Sequence, residues 1–189
     1  MKISESLFLA QDICLAPIDH EQDAEIESRW THDAGYMRLI SLSPALPQSV
    51  SQIKKRYEKT EKEQEEKRNL FYFTIRMRAD DRLIGFARLY WIDWSNGGGF
   101  IELGIGDPGD RRHGYGAQTL RLLLRYAFDE LNLYRLSALI PEYNPAAAHL
   151  FLRAGFAEEV RRRQALERGG RRWDMLHLGL LHEEWATLQ

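Results

Sequence analysis

Arg111-Arg112-His113-Gly114-Tyr115-Gly116 is the stretch of this chain whose residue types and spacing best fit a chemical task. It lies between an apolar strand-like run, Phe100 to Ile105, and a segment with helical periodicity. Two glycines at a helix mouth let a ligand come close to the main chain, because no Cβ stands in the way. The first N–H groups of a helix lack internal partners and carry partial positive charge, so the turn suits an anion. Arg111 and Arg112 sharpen this, since cations at a helix N-terminus oppose the macrodipole and require something negative nearby. Asp107 and Asp110 offer one source of that charge; a bound phosphate or pyrophosphate is the stronger expectation. Neither the dinucleotide fingerprint G-x-G-x-x-G nor the Gly-Lys-Ser/Thr of a P-loop fits here. Just upstream, strand alternation puts Glu102 on one face with Gly104 and Gly106, and Ile101, Leu103 and Ile105 on the other. A carboxylate beside two positions without side chains leaves room for a bound molecule.

These residues belong to a longer series. Arg111-x-x-Gly114-x-Gly116 has the form Q/R-x-x-G-x-G/A. Before it stands Leu83-Ile84-Gly85-Phe86-Ala87-Arg88-Leu89-Tyr90, and after it Asn144-Pro145-Ala146-Ala147 and Phe151-Leu152-Arg153-Ala154-Gly155-Phe156. The series resembles the GCN5-related N-acetyltransferase (GNAT) superfamily: its "hIGhhxL" strand, its acyl-CoA pyrophosphate loop and its "N-x-x-A-hxLYxxxGF" segment. The ending, Gly170-Arg171-Arg172-Trp173-Asp174 with Glu183-Glu184-Trp185 beyond, is similar to the RimJ/RimL-like branch. That branch holds ribosomal-protein Nα-acetyltransferases and bacterial spermidine acetyltransferases.

The resemblance implies an α/β fold, a central mixed sheet with helices on both faces, and acetyl-CoA as co-substrate. It places Leu103, Gly104 and Ile105 along the pantetheine arm, with a backbone N–H facing the thioester oxygen. The N–H groups of Arg112, His113, Gly114, Tyr115, Gly116 and Ala117, with the Arg111 and Arg112 side chains, would take the pyrophosphate. Asn144 would cap its helix and contact the arm, and Glu102 would act as general base, directly or through water. The implied reaction is acetyl transfer to a primary amine by direct attack in a ternary complex. The acceptor is a protein N-terminus, or else a polyamine or small amine; the alternative is a non-catalytic CoA-binding regulatory or interaction module. One position departs from the pattern. Phe151 stands where the family carries its usual general acid, a tyrosine, and a phenyl ring has no proton to give. Tyr143 and Tyr115 are the nearby replacements, Tyr143 being preferred.

Positioning these groups takes the order β-α-α-β-β-β-α-β-α-β-β within one domain, residues 1–189. Leu7 to Ile18 reads as a first strand region, Asp19 to Asp33 as an acidic helix, and 51–68 as a charged helix opened by Ser49 or Ser51. Leu70 to Arg78 and Leu83 to Trp94 are strands turning at Asp80-Asp81, and Gly97-Gly98-Gly99 turns into the strand 100–105. A helix over Gly114 to Leu131, a strand over Leu133 to Ile140 and a short helix from Pro145 to Ala154 follow. In that helix Asn144 suits the cap, Pro145 the first turn and Gly155 the stop. Two strands flank the turn Arg168-Gly169-Gly170-Arg171.

With 189 residues, 44% hydrophobic and 29% charged, the chain has ordinary globular composition. A net charge of −2 argues against a nucleic-acid partner, and no apolar run approaches the roughly 20 residues that span a bilayer. Met1 to Ser6 carries no signal-peptide pattern, so the expected location is cytoplasmic, as monomer or homodimer. The single Cys14 excludes an internal disulfide and a cysteine-based metal site, and reads as packing. His113 has no second ligand at metal spacing, so no metal is expected. Arg161, Arg162, Arg163, Arg168, Arg171 and Arg172 divide between two faces of a hairpin and read as solvated. A polyamine acceptor would need carboxylates, which Glu21, Asp23, Glu25 and Glu27 could supply.

Overall fold

In a computed structural model that describes residues 6–188, the chain forms seven strands: β1 (Ile13–Ala16), β2 (Leu70–Met77), β3 (Leu83–Asp93), β4 (Gly98–Ile105), β5 (Arg135–Pro141), β6 (Ala157–Arg168) and β7 (Arg171–Leu181). Between them run α1 (Gln22–Thr31), α2 (Ala34–Ile40), α3 (Val50–Lys67), α4 (Tyr115–Arg125), α5 (Pro145–Arg153) and α6 (His182–Ala186). The expectation about a signal peptide falls mostly on Met1–Glu5, outside the described residues. Among the described residues no helix is long and apolar enough to cross a membrane.

The strands form one sheet in the order β1-β2-β3-β4-β5-β7-β6. Every neighbouring pair is antiparallel except β4 and β5, which are parallel and pair only at Gly98–Phe100 with Arg135–Ser137. Beyond Phe100 and Ser137 the two strands part. The β5-facing polar groups of residues 101–105 therefore have no strand partner, and the split opens one side of the sheet to a ligand.

Alternation along the strands sorts the two faces. Ile75, Ala87, Leu89, Ile101 and Leu103 meet Leu120, Leu123 and Leu124 of α4, and Ala127 just past its end, in the main core. The spacing of those α4 residues is the period that predicted the helix. On the opposite face, α1 and α3 bury Ala24, Ile53 and Tyr57 against each other. Arg76 points to that side and pairs with Asp23 at 2.6 Å, both fully enclosed. Breaking such a buried pair by removing one partner costs about 3–5 kcal/mol.

Several boundaries move from their expected places. The first strand is four residues long, because Leu9 turns back to bridge Cys14. The segment expected as one helix up to Asp33 is α1, and a second helix, α2, begins where it stops. The Asp33 carboxylate accepts from Gly35 N at 2.8 Å and caps that second helix. Ser49 and Gln52 make a capping box for α3, and Arg68 ends it in the left-handed region. The helix expected to reach Leu131 ends as α at Arg125 and continues as a π turn over Tyr126–Glu130. Past β7 comes α6, which buries Trp185 against Phe128.

Candidate active site

The loop between β4 and α4 is shaped by its own side chains. Asp107 accepts from Gly109 N at 2.7 Å and caps a 3-10 turn over Pro108–Asp110. Asp110 takes two bonds from the Arg82 guanidinium, at 2.7 and 2.8 Å, which hold its carboxyl below the usual range. Asp110 is thus paired with Arg82 and not with the arginines that follow. Arg111 turns back: Nε donates to Ile105 O at 3.2 Å and an Nη to Gly106 O at 2.7 Å. It thus clamps the end of β4 rather than reaching toward solvent. Arg112 is exposed and makes no ion pair among the described residues.

Gly114 opens α4 with φ of 85°, where an L side chain is strained, and a Cβ there would meet nothing within 4 Å. The hollow it leaves faces the free N–H groups at the helix start. Ala117 N and Gln118 N bond back to Gly114 O, so Tyr115 and Gly116 hold the unpaired donors of the first turn. His113 Nε2 donates to Gly109 O at 3.1 Å, and its ring stacks on Tyr115.

A cleft of about 1370 Å³ runs from this loop along the β4–β5 split to α5 and α6. That exceeds the roughly 300–1,000 Å³ usual for a drug-sized ligand and suits an extended molecule. Leu103, Gly104, Ile105, Arg111, Arg112, Gly114, Gly116, Ala117 and Asn144 line it. His113 and Tyr115 do not. Asn144 caps α5 through Ala147 N at 3.2 Å, and its Nδ2 crosses the cleft to Leu39 O of α2 at 3.4 Å.

Glu102 projects from the face of β4 opposite Leu103, as alternation predicts; the bulge in this pair of strands falls in β3, beyond Tyr90. Its Oε2 accepts from Arg88 Nε at 2.8 Å and from an Arg88 Nη at 2.5 Å. The room expected beside it is occupied. A Cβ on Gly104 would stand 2.8 Å from Phe86 and 3.1 Å from Ile40, and one on Gly106 would lie inside the Trp30 ring. These glycines admit protein side chains, not a ligand. Tyr143 does not line the cleft; its hydroxyl is buried without a partner, its ring edge-on to Trp173. Phe151 is buried in the core against Phe156.

The acidic residues of α1 are mostly spoken for. Asp23 bonds Arg76, Glu27 bonds Tyr57 and Arg56, and Glu21 bonds Lys54, leaving Glu25 exposed. Burial raises the Asp23 carboxyl above its usual range in spite of Arg76. In the hairpin, Arg161 pairs with Glu158 and Asp174, Arg172 with Glu167, and Arg171 lies over the Trp173 ring. Trp91 and Trp94 are exposed and do not line the cleft. The cleft residues that the sequence reading missed include Tyr36, Leu39 and Ile40 of α2, with His149, Arg153 and Trp185. Asp33 followed by apolar residues at i+3, i+6 and i+7 was the signal for the first three.

A split parallel strand pair, with the unpaired N–H groups of a helix mouth at its end, sets an extended cleft against an open strand edge. Residues 12–157 match the family model of the acetyltransferase (GNAT) domain, and the chain belongs to that family. It is similar to two Bacillus subtilis proteins. One is the uncharacterized N-acetyltransferase YnaD, 26% identical over 60% of this chain and 65% of the relative. The other is the probable N-acetyltransferase YjcK, 33% identical over 54% of each. The chain thus spans less than two thirds of the length of these curated relatives. In fold it is similar to the spermidine N-acetyltransferase of Vibrio cholerae solved with CoA and spermine: TM-score 0.80, 20% identity, 92% of this chain and 98% of that one.

Proposed function

We propose that this protein transfers the acetyl group of acetyl-CoA to a primary amine by direct attack within a ternary complex. The observation that carries this reading is the unpaired edge of β4 at residues 101–105, continuous with the empty cradle at Gly114. Backbone groups on this edge lack a strand partner, and the amides of a pantetheine arm are the right chemistry at the right spacing to pair with them. The unpaired N–H groups at the start of α4, with Arg112, take the pyrophosphate. Arg111 serves by fixing the strand end against the loop. Glu102 does not line the cleft, so it takes the amine's proton through water, on the Oε1 that the Arg88 bonds leave free.

Among acceptors, a protein N-terminus or small monoamine fits better than a polyamine. A polyamine needs several carboxylates to spare, and Asp23, Glu27 and Glu102 each already face a guanidinium. The test is calorimetric titration of acetyl-CoA into wild type and Gly114→Ala, followed by a free-thiol assay with peptides and amines. The expected result is micromolar binding by wild type, weakened about tenfold or more by a Cβ in the cradle, with thiol released on adding an acceptor. Binding without thiol release from any amine would favour the non-catalytic CoA-binding alternative. An absence of binding would overturn both.

A further inference from the structure

Two tyrosine hydroxyls among the described residues are buried without a hydrogen-bond partner, Tyr36 and Tyr143, and of the two only Tyr36 lines the cleft. A buried hydroxyl left without a partner costs about 1–3 kcal/mol, so one retained beside a ligand cleft points to a partner that arrives with the ligand. The ring is held in place. It lies edge-on to Trp30, with centroids 6.0 Å apart, and the Arg111 guanidinium stands 5.7 Å from its centroid. Arg111 is in turn fixed on the carbonyls of Ile105 and Gly106. Ile40, one helical turn further along α2, packs against Gly104. Tyr36 is therefore mounted over the end of β4, on the face that carries Glu102.

Burial, reinforced by the charges of Glu27 and Glu102, holds the phenol far above its usual range. It stays a neutral O–H donor at any working pH and is too weak an acid to surrender its proton to a thiolate. The open edge of β4 offers backbone N–H groups that suit the thioester oxygen, whereas Phe151 has nothing to donate to the sulfur. Resting on the acetyl-CoA reading above, we propose that the Tyr36 hydroxyl donates a hydrogen bond to the CoA sulfur and stabilises the thiolate as the acetyl group leaves. The amine lone pair forms the C–N bond, the C–S bond breaks with its pair going to sulfur, and the ammonium proton passes to Glu102 or water. Tyr36 keeps its own proton and shares it with the sulfur. The seven residues of α2 are tied across the cleft by the long Asn144–Leu39 bond, and an arriving arm competes for that amide.

The test needs no knowledge of the acceptor. CoA is bound to wild type and to Tyr36→Phe, and its thiol is titrated by the ultraviolet absorbance of the thiolate. In wild type the midpoint is expected about one pH unit lower than in Y36F, a tenfold difference in acidity. Thermal unfolding of ligand-free Y36F is expected at or above the wild-type temperature, because an unpaired hydroxyl has been removed. Turnover with an accepted amine is expected to fall about 10–100-fold with KM for acetyl-CoA little changed. Equal midpoints in the two proteins would overturn the assignment, as would a shift produced by Tyr143→Phe and not by Y36F. Failure of wild type to bind CoA at all would instead remove the reading on which the inference rests.

Discussion

Asn144 does two jobs with one amide, and they can be separated. Its oxygen caps α5, and its nitrogen reaches Leu39, 105 positions earlier in the chain. Asn144→Ser keeps an oxygen acceptor for the cap and removes the nitrogen donor. We expect this variant to melt close to wild type and to bind acetyl-CoA about three- to tenfold more weakly. Asn144→Ala also loses the cap, at about 0.5–2 kcal/mol of stability. If the serine variant binds as wild type does, the amide is a cap and nothing more. Asparagine before proline at the head of an apolar run is legible as a cap because capping is local. The reach to Leu39 is not, since nothing near Asn144 in sequence states what lies across the cleft. Glu102 teaches the same thing. Its facing followed from alternation, whereas the fate of the space beside it depended on Trp30, Phe86 and Ile40, supplied by three other elements.

Among the elements, the loop before α4 is held from outside by β3. Arg82, at the start of the hairpin strand, bonds Asp110 through two nitrogens. Removing it in Arg82→Ala frees the 3-10 turn that aims the α4 N-terminus, and acetyl-CoA affinity should fall severalfold without loss of the sheet. The pair also carries a pH signature. Hydrogen bonding to Arg82 holds the Asp110 carboxyl below its ordinary value of 3.8. A carboxyl whose folded pKa is depressed contributes stability above the unfolded value and loses it as pH falls through the folded one. The stability difference between wild type and R82A should therefore be present at about pH 5 and shrink below about pH 4, read from denaturation midpoints. A difference that does not change over that range would mean the pair adds nothing to folding.

The elements themselves were largely visible in the sequence. Periodicity placed α4, which buries a full face; caps placed α3 and α5, and turn residues between branched and aromatic runs placed the strands. What stayed hidden was short or dependent on contacts made elsewhere. The seven residues of α2 are too few to impose a helical period, their one signal being the Asp33 cap, and α6 is one turn held by Trp185. The π turn after α4 falls inside a pattern that reads as continuous helix.

At the scale of the whole molecule, the sheet is two blocks joined at three residue pairs. β1 to β4 form one block and β5, β7 and β6 the other; only Gly98–Phe100 with Arg135–Ser137 ties them along the sheet. The cleft lines both sides of that split, from Leu103 and Ile105 to Asn144 and Leu150. A ligand bound there supplies the strand pairing that the chain withholds, so binding and global stability are coupled. At a ligand concentration a hundred times its Kd the gain is about 2.7 kcal/mol. For a chain of this size each kcal/mol moves the melting temperature by about 2–4 °C, so saturating acetyl-CoA should raise Tm by about 5–10 °C. Hydrogen exchange locates the gain: amides at 101–105 should slow along with those of the loop at 112–117, while the far β1–β2 edge changes least. A melting shift accompanied by protection of the loop alone would mean that the ligand is held by its phosphates and leaves the split strands unpaired. In that case the open edge of β4 would need another partner, and the proposed path of the pantetheine arm would be wrong.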